Sequence, residues 1–193
     1  MQAGTSRMLK ALRNLEAAFL VGVEGTTEIW LVRHADAYQH GEDEPDPGLS
    51  PAGREQAARL AERVKRGPVT AVHASPARRA VETAQHLDKD ARVDPRLTEM
   101  TFEIVDGTFN FTESPAEVIA RMSAAIDEIA AEHPGGRVIV VSHAGSITNY
   151  LGHVMRLEPG QLRLLPHFTS VSVVRALDDR RMVGALNDTA HLE

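Results

Sequence analysis

Two hydrophobic rhythms alternate along this chain. Short, bulky apolar runs stop abruptly at polar residues. Ile29-Trp30-Leu31-Val32 ends at Arg33-His34, TAVHA at 70–74 ends at Ser75-Pro76, and RVIVVS at 137–142 ends at His143. Runs of this kind read as strands buried on both faces of a parallel sheet. Between them the spacing is helical. Leu60 and Val64 recur with Ala57 and Ala61, and Val118, Met122, Ile126 and Ile129 fall on one face. Ser50-Pro51 and the Ser114-Pro115-Ala116-Glu117 capping box are helix starts, and Ser75-Pro76 resembles them. Gly67-Pro68 and Pro134-Gly135-Gly136 are stops, and a further helix is expected from about Ser146 to Met155. Repeated β-to-α units favour an α/β fold with crossover helices. TSVSVV at 169–174 and RMVGAL at 181–186, joined around Asp178-Asp179, form a candidate antiparallel hairpin at a sheet edge.

The remaining segments are less regular. Residues 1–25 form an N-terminal extension, expected to be helical, with Thr5 or Ser6 as cap. Met8, Leu12, Leu15 and Phe19 share one face, and Arg7, Lys10 and Arg13 lie off it. Such a helix would pack on its own domain or on a second subunit of a homodimer. Basic residues leading into LEAAFLVGV outline an export signal, but Glu16 and Glu24 argue against one. Residues 26–193 make the main domain. Within it, YQHGEDEPDPG at 38–48 is a surface loop. The irregular stretch 91–113 carries Glu99, Glu103 and Asp106, any of which could supply a proton, although a solvated loop acid is the commoner role.

Composition narrows the classes. The 193 residues suit one domain with a sizeable core. No apolar run approaches the ~20 residues that cross a bilayer. A formal charge of −6 argues against a general nucleic-acid or membrane-surface binder, yet a local arginine cluster can still hold an anion. The chain has no cysteine, which removes thiol catalysis and disulfides and weakly favours a reducing, cytoplasmic setting. Its nine histidines form no metal-ligand spacing, so no metal or other cofactor is expected.

Chemistry gathers at the strand ends. Arg33 and His34 follow one strand, His143 another. Arg78 and Arg79 lie in the first turn of a helix, where free N–H groups suit an anion. Strands of a parallel sheet share a direction, so these residues meet at its carboxyl edge. The ordered motifs resemble the histidine phosphatase superfamily, the phosphoglycerate mutase-like group. LVRHADA is similar to LVRHG, LSPAGREQA to L-T-x-x-G-x-x-Q-A, and SPARRAVETA to S-P-L-x-R-A-x-x-T-A. RLTEMTFEIVDG is similar to the L-x-E segment and VVSHAG to V-S-H-G-G. Together they span about residues 25–155.

That resemblance implies a three-layer α/β/α sandwich with a mostly parallel sheet and antiparallel edge strands. It implies metal-independent phosphoryl transfer, without a cofactor, through a phosphohistidine on His34. Arg33, Arg79 and His143 would hold the phosphoryl oxygens, and Glu99 would protonate the leaving oxygen, with Asp36 and Glu103 as rivals. Arg79 is the implied second arginine because it precedes Ala80. The chain departs from the pattern at Ala35, Ala37 and Ala144, and His40 lies near where some members carry Asn. The modest insertion between Glu99 and His143 favours hydrolysis of a phosphomonoester, phosphoramidate or phosphoprotein over mutase chemistry. A non-catalytic module binding phosphorylated ligands is the remaining alternative.

Overall fold

A computed structural model describes residues 2–37 and 44–193, with side chains from residue 6 onward. His40 lies outside the described residues. The chain runs α1 (Gln2–Ala18), β1 (Thr27–Arg33), α2 (Pro51–Val64), β2 (Ala71–Ala74), α3 (Arg78–Leu87) and β3 (Arg92–Val93). It continues through β4 (Phe102–Val105), β5 (Thr108–Phe111), α4 (Pro115–Glu132), β6 (Arg137–Ser142) and α5 (Ala144–Val154). It closes with β7 (Val171–Leu177) and β8 (Arg180–Asp188).

Six strands form one sheet in the order β3-β2-β6-β1-β7-β8. The first four run parallel, and β7 and β8 add an antiparallel pair on the β1 side. The run RVIVVS becomes β6, a central strand, as its unbroken hydrophobicity predicts. Alternation sends its side chains to two cores. Val138 and Val140, with Ile29 and Leu31 of β1, meet Val118, Met122, Ile126 and Ile129 of α4 and Ile147 and Leu151 of α5. Ile139 and Val141, with Val32 and Val72, meet Leu60 and Val64 of α2 and Ala80 and Ala84 of α3. The result is the three-layer α/β/α sandwich.

Two of the expected helix starts hold and two do not. Ser50 caps α2 and the Ser114–Glu117 box caps α4. Helix α3, however, begins at Arg78 after an uncapped Ala77. Ser75, which reads as a helix start, is not its cap; Asp46 of the acidic loop accepts from the Arg78 N–H at 3.0 Å instead. Residues 102–111 fold as a β-hairpin where irregular chain was expected, turning at Asp106-Gly107 with both residues at positive φ. Helix α1 begins at Gln2, before both Thr5 and Ser6, so neither caps it. Its apolar face does not pack on the domain: Met8, Leu12, Leu15 and Phe19 are 48–66% exposed.

Candidate active site

Sheet register builds the site. Arg33 pairs with Ser142 across β1 and β6, and Ala74 pairs with Val141 across β2 and β6. The next residue on each strand is therefore His34, His143 and Ser75, set side by side at the carboxyl edge. Backbone bonds extend the ladder one step: His34 N–H donates to Ser142 O at 3.0 Å and Ser75 N–H to Val141 O at 2.9 Å. All three residues are buried. The two imidazoles lie 5.0 Å apart, centroid to centroid, in an edge-to-face arrangement.

Each ring has a defined tautomer. His34 Nδ1 donates to the carbonyl of Ala35 at 2.8 Å, so its proton sits there and Nε2 carries the lone pair. Arg79 Nε points at that lone pair from 3.3 Å. Arg79 also directs one terminal nitrogen at His143 Nδ1, 3.4 Å away, which leaves the His143 proton on Nε2, donated to Ser75 Oγ at 2.7 Å. Burial, with Arg79 and Arg33 nearby, lowers the His34 pKa to about 3 despite the opposing hydrogen bond to Ala35. His143 is likewise held well below its ordinary value, first by burial and then by His34, Arg79, Arg121 and Arg33. Both rings are neutral near pH 7.

The surroundings fix the cations. Arg33 donates to Pro166 O at 2.7 Å, and its guanidinium lies 3.9 Å over the Phe168 ring, which faces His34 from 5.7 Å. Asp46 approaches the outer nitrogen of Arg79 to 3.6 Å. Arg78 is exposed and bound to Glu82 and Glu44, so Arg79 is the arginine that enters the pocket. Thr83 of α3 accepts from the Ala35 N–H at 3.0 Å and fixes the residue after the nucleophile candidate.

The three acid candidates separate cleanly. Glu103 is exposed on β4. Asp36 accepts from Ser50 Oγ at 2.6 Å, a bond that ties the loop after His34 to the start of α2. Glu99 alone reaches the helix that begins beside His143. It accepts from Ser146 N–H at 2.9 Å and Gly145 N–H at 3.2 Å. Arg121, bound to Glu113 and to the carbonyls of Arg96 and Thr98, braces the segment leading to Glu99.

The sequence model of the histidine phosphatase superfamily (branch 1) matches residues 29–111 and 106–189. The chain belongs to that superfamily. Among relatives of the histidine phosphatases, phosphoglycerate mutase-like protein 4 of Arabidopsis thaliana is 28% identical, with 86% of this chain and 87% of the relative covered. A phosphoserine phosphatase from Entamoeba histolytica, solved with 3-phosphoglyceric acid, superposes with a TM-score of 0.74 at 22% identity, covering 86% of this chain and all of that one. Phosphoglycerate mutase from Bacillus anthracis superposes at 0.69 and 18% identity, covering 88% and 96%. These likenesses establish the fold, which phosphatases and mutases of the superfamily share.

Sequence reasoning located His34, Arg33, Arg79, His143 and Glu99, and the fold brings all five to one edge of the sheet. It missed Ser75, Thr83 and Phe168. Ser75 was visible only as half of a Ser-Pro helix start. Phe168 carries no local signal, because its place depends on where the chain after α5 re-enters the sheet.

Proposed function

We propose that this histidine phosphatase-fold protein hydrolyses small phosphomonoesters through a phosphohistidine on His34. The observation that carries this reading is the His34 tautomer. Nδ1–H is fixed on the Ala35 carbonyl, so Nε2 presents a lone pair beside the inner face of Arg79. A nucleophilic imidazole must be neutral, and burial together with the arginines keeps it so.

In the first half-reaction Nε2 attacks phosphorus, the N–P bond forms and the bond to the leaving oxygen breaks. The leaving oxygen takes a proton from Glu99 in this assignment. Water, giving a proton to the Glu99 carboxylate, then attacks the phosphohistidine, breaking the N–P bond, releasing inorganic phosphate and returning Nε2 to its lone pair. Charge on the equatorial oxygens is met by Arg33 and Arg79. A phosphoryl dianion beside His143 favours its imidazolium form and so converts Nδ1 from acceptor to donor as the substrate arrives. Two arginine forks and an imidazolium supply this charge without requiring a metal.

Hydrolysis is favoured over mutase transfer because only one short hairpin lies between Glu99 and α4, leaving little chain to close over a bisphosphate. The test is p-nitrophenyl phosphate turnover with EDTA present, followed by a quench that preserves acid-labile phosphohistidine. Wild type should turn over and label, and His34→Ala should do neither. Substantial turnover by His34→Ala, or activity lost to EDTA and restored by a divalent ion, refutes the mechanism.

A further inference from the structure

Two apolar surfaces of this chain face solvent, and neither has a packing partner among the described residues. On α1, Met8, Leu12, Leu15 and the following Phe19 are 66, 48, 58 and 52% exposed. Continued at ~100° per residue they fall within an arc of about 60°. On the β4–β5 hairpin, Phe102 pairs with Phe111 and Ile104 with Phe109, so all four share one face. They are 40, 57, 67 and 58% exposed in that order.

Neither element should persist alone. A helix of 17 residues is marginal in water without tertiary packing. A lone two-stranded hairpin is marginal until a helix or a third strand covers its apolar face. The helix lacks a surface and the hairpin lacks a helix. The two cannot meet within one chain as it is folded. Arg180, at the β7–β8 turn, holds the carbonyl of Ala18 and ties the end of α1 to the amino edge of β1. The hairpin follows Glu99 at the carboxyl edge, beyond the length of β1, about 20 Å away.

We propose that α1 of one copy packs across the β4–β5 face of a second copy, and that the reciprocal contact closes a two-fold dimer. Pairing α1 with α1 would leave both hairpin faces bare, whereas the reciprocal contact covers all four apolar surfaces of the pair. An anionic membrane surface suits the helix less well, because the exposed Glu16 borders the apolar arc and the chain carries a formal charge of −6. Area agrees too. With roughly half of each bulky side chain covered, the two contacts bury on the order of 1,000–1,500 Å², the lower part of the range for specific interfaces. The docked helix would lie beside the segment that carries Glu99.

The experiment is sedimentation velocity on the full chain at about 1 and about 200 µM, a span suited to a micromolar dimer. Wild type should pass from monomer to dimer. Leu12→Glu and Phe109→Glu, both at exposed positions, should each remain monomeric at the higher concentration. Mixed in equal amounts, they should associate again, because one α1–hairpin contact stays intact in the mixed pair. Wild type that is monomeric at both concentrations overturns the proposal, whether or not it co-sediments with anionic vesicles. A dimer broken by Leu12→Glu but indifferent to Phe109→Glu overturns it as well, as does failure of the mixture to associate.

Discussion

Burial of His34 should make this protein acid-sensitive well above the pH at which its carboxylates titrate. The imidazole is 2% exposed, and its pKa falls from 6.5 to about 3 on folding. Below pH 6.5 the unfolded chain binds a proton that the folded chain refuses. Stability therefore declines as pH falls, and the contribution is fully present above 6.5. At pH 5 the cost is RT ln(1 + 10^1.5), about 2 kcal/mol, and it stays near that value for any folded pKa below about 4. His143, displaced in the same direction, adds a cost of the same sign.

The measurement is urea unfolding at pH 8 and pH 5 for wild type and His34→Gln. Wild type should lose about 2 kcal/mol between these pH values from His34, beyond what His143 and other groups contribute. The variant should lose about 2 kcal/mol less, since it lacks the His34 proton uptake, with burial still the first cause of the shift at His143. In thermal melts the difference amounts to roughly 4–8 °C. An identical pH dependence in the two proteins would show that His34 binds its proton equally in the folded and unfolded states, and the argument for a permanently neutral nucleophile would fall with it.

Three further substitutions probe the supporting structure. Gly53→Ala places a methyl 1.9 Å from the Asp36 carbonyl, where backbone must move, so it should lower stability by at least about 2 kcal/mol in the same urea assay; a neutral result would mean that the loop after His34 is not pressed onto α2. Ser75→Ala strands the buried Nε2–H of His143 and should cost about 1–3 kcal/mol of stability along with roughly a tenfold loss of kcat; unchanged values of both would remove Ser75 from the site. Glu99→Gln should slow alkyl phosphate hydrolysis more than aryl, since a poor leaving oxygen needs the proton more; equal losses on both would move the acid elsewhere.

The fold was legible wherever local pattern and tertiary need coincide. Strand β6 is buried on both faces and β1 through Ile29, Leu31 and Val32, so each carries a run of apolar residues that ends sharply at the site. Ser50 and Ser114 cap helices that follow them directly, so local chemistry suffices. Ser75 shows where that logic fails. The same Ser-Pro signal is present, but β2 ends beside β6, and His143 claims the hydroxyl that would otherwise cap α3. A residue 32 positions away supplies the cap instead, a substitution that no window of local sequence can reveal.

The hairpin at 102–111 illustrates a different limit. Its alternation and its Asp106-Gly107 turn are strand signals, yet the acidic residues between the phenylalanines make the stretch read as loop. Here the apolar side faces outward on the isolated chain. The same inversion marks α1, whose amphipathic spacing was legible and whose covering surface was not. In both cases the sequence encodes an apolar face that no described residue of the chain covers. The candidate site is the opposite case. Its residues are scattered from position 33 to position 143, but parallel strands of matched register bring them together. A site assembled by sheet register can be inferred from strand ends alone, whereas a surface completed by a second molecule must be inferred from what remains uncovered.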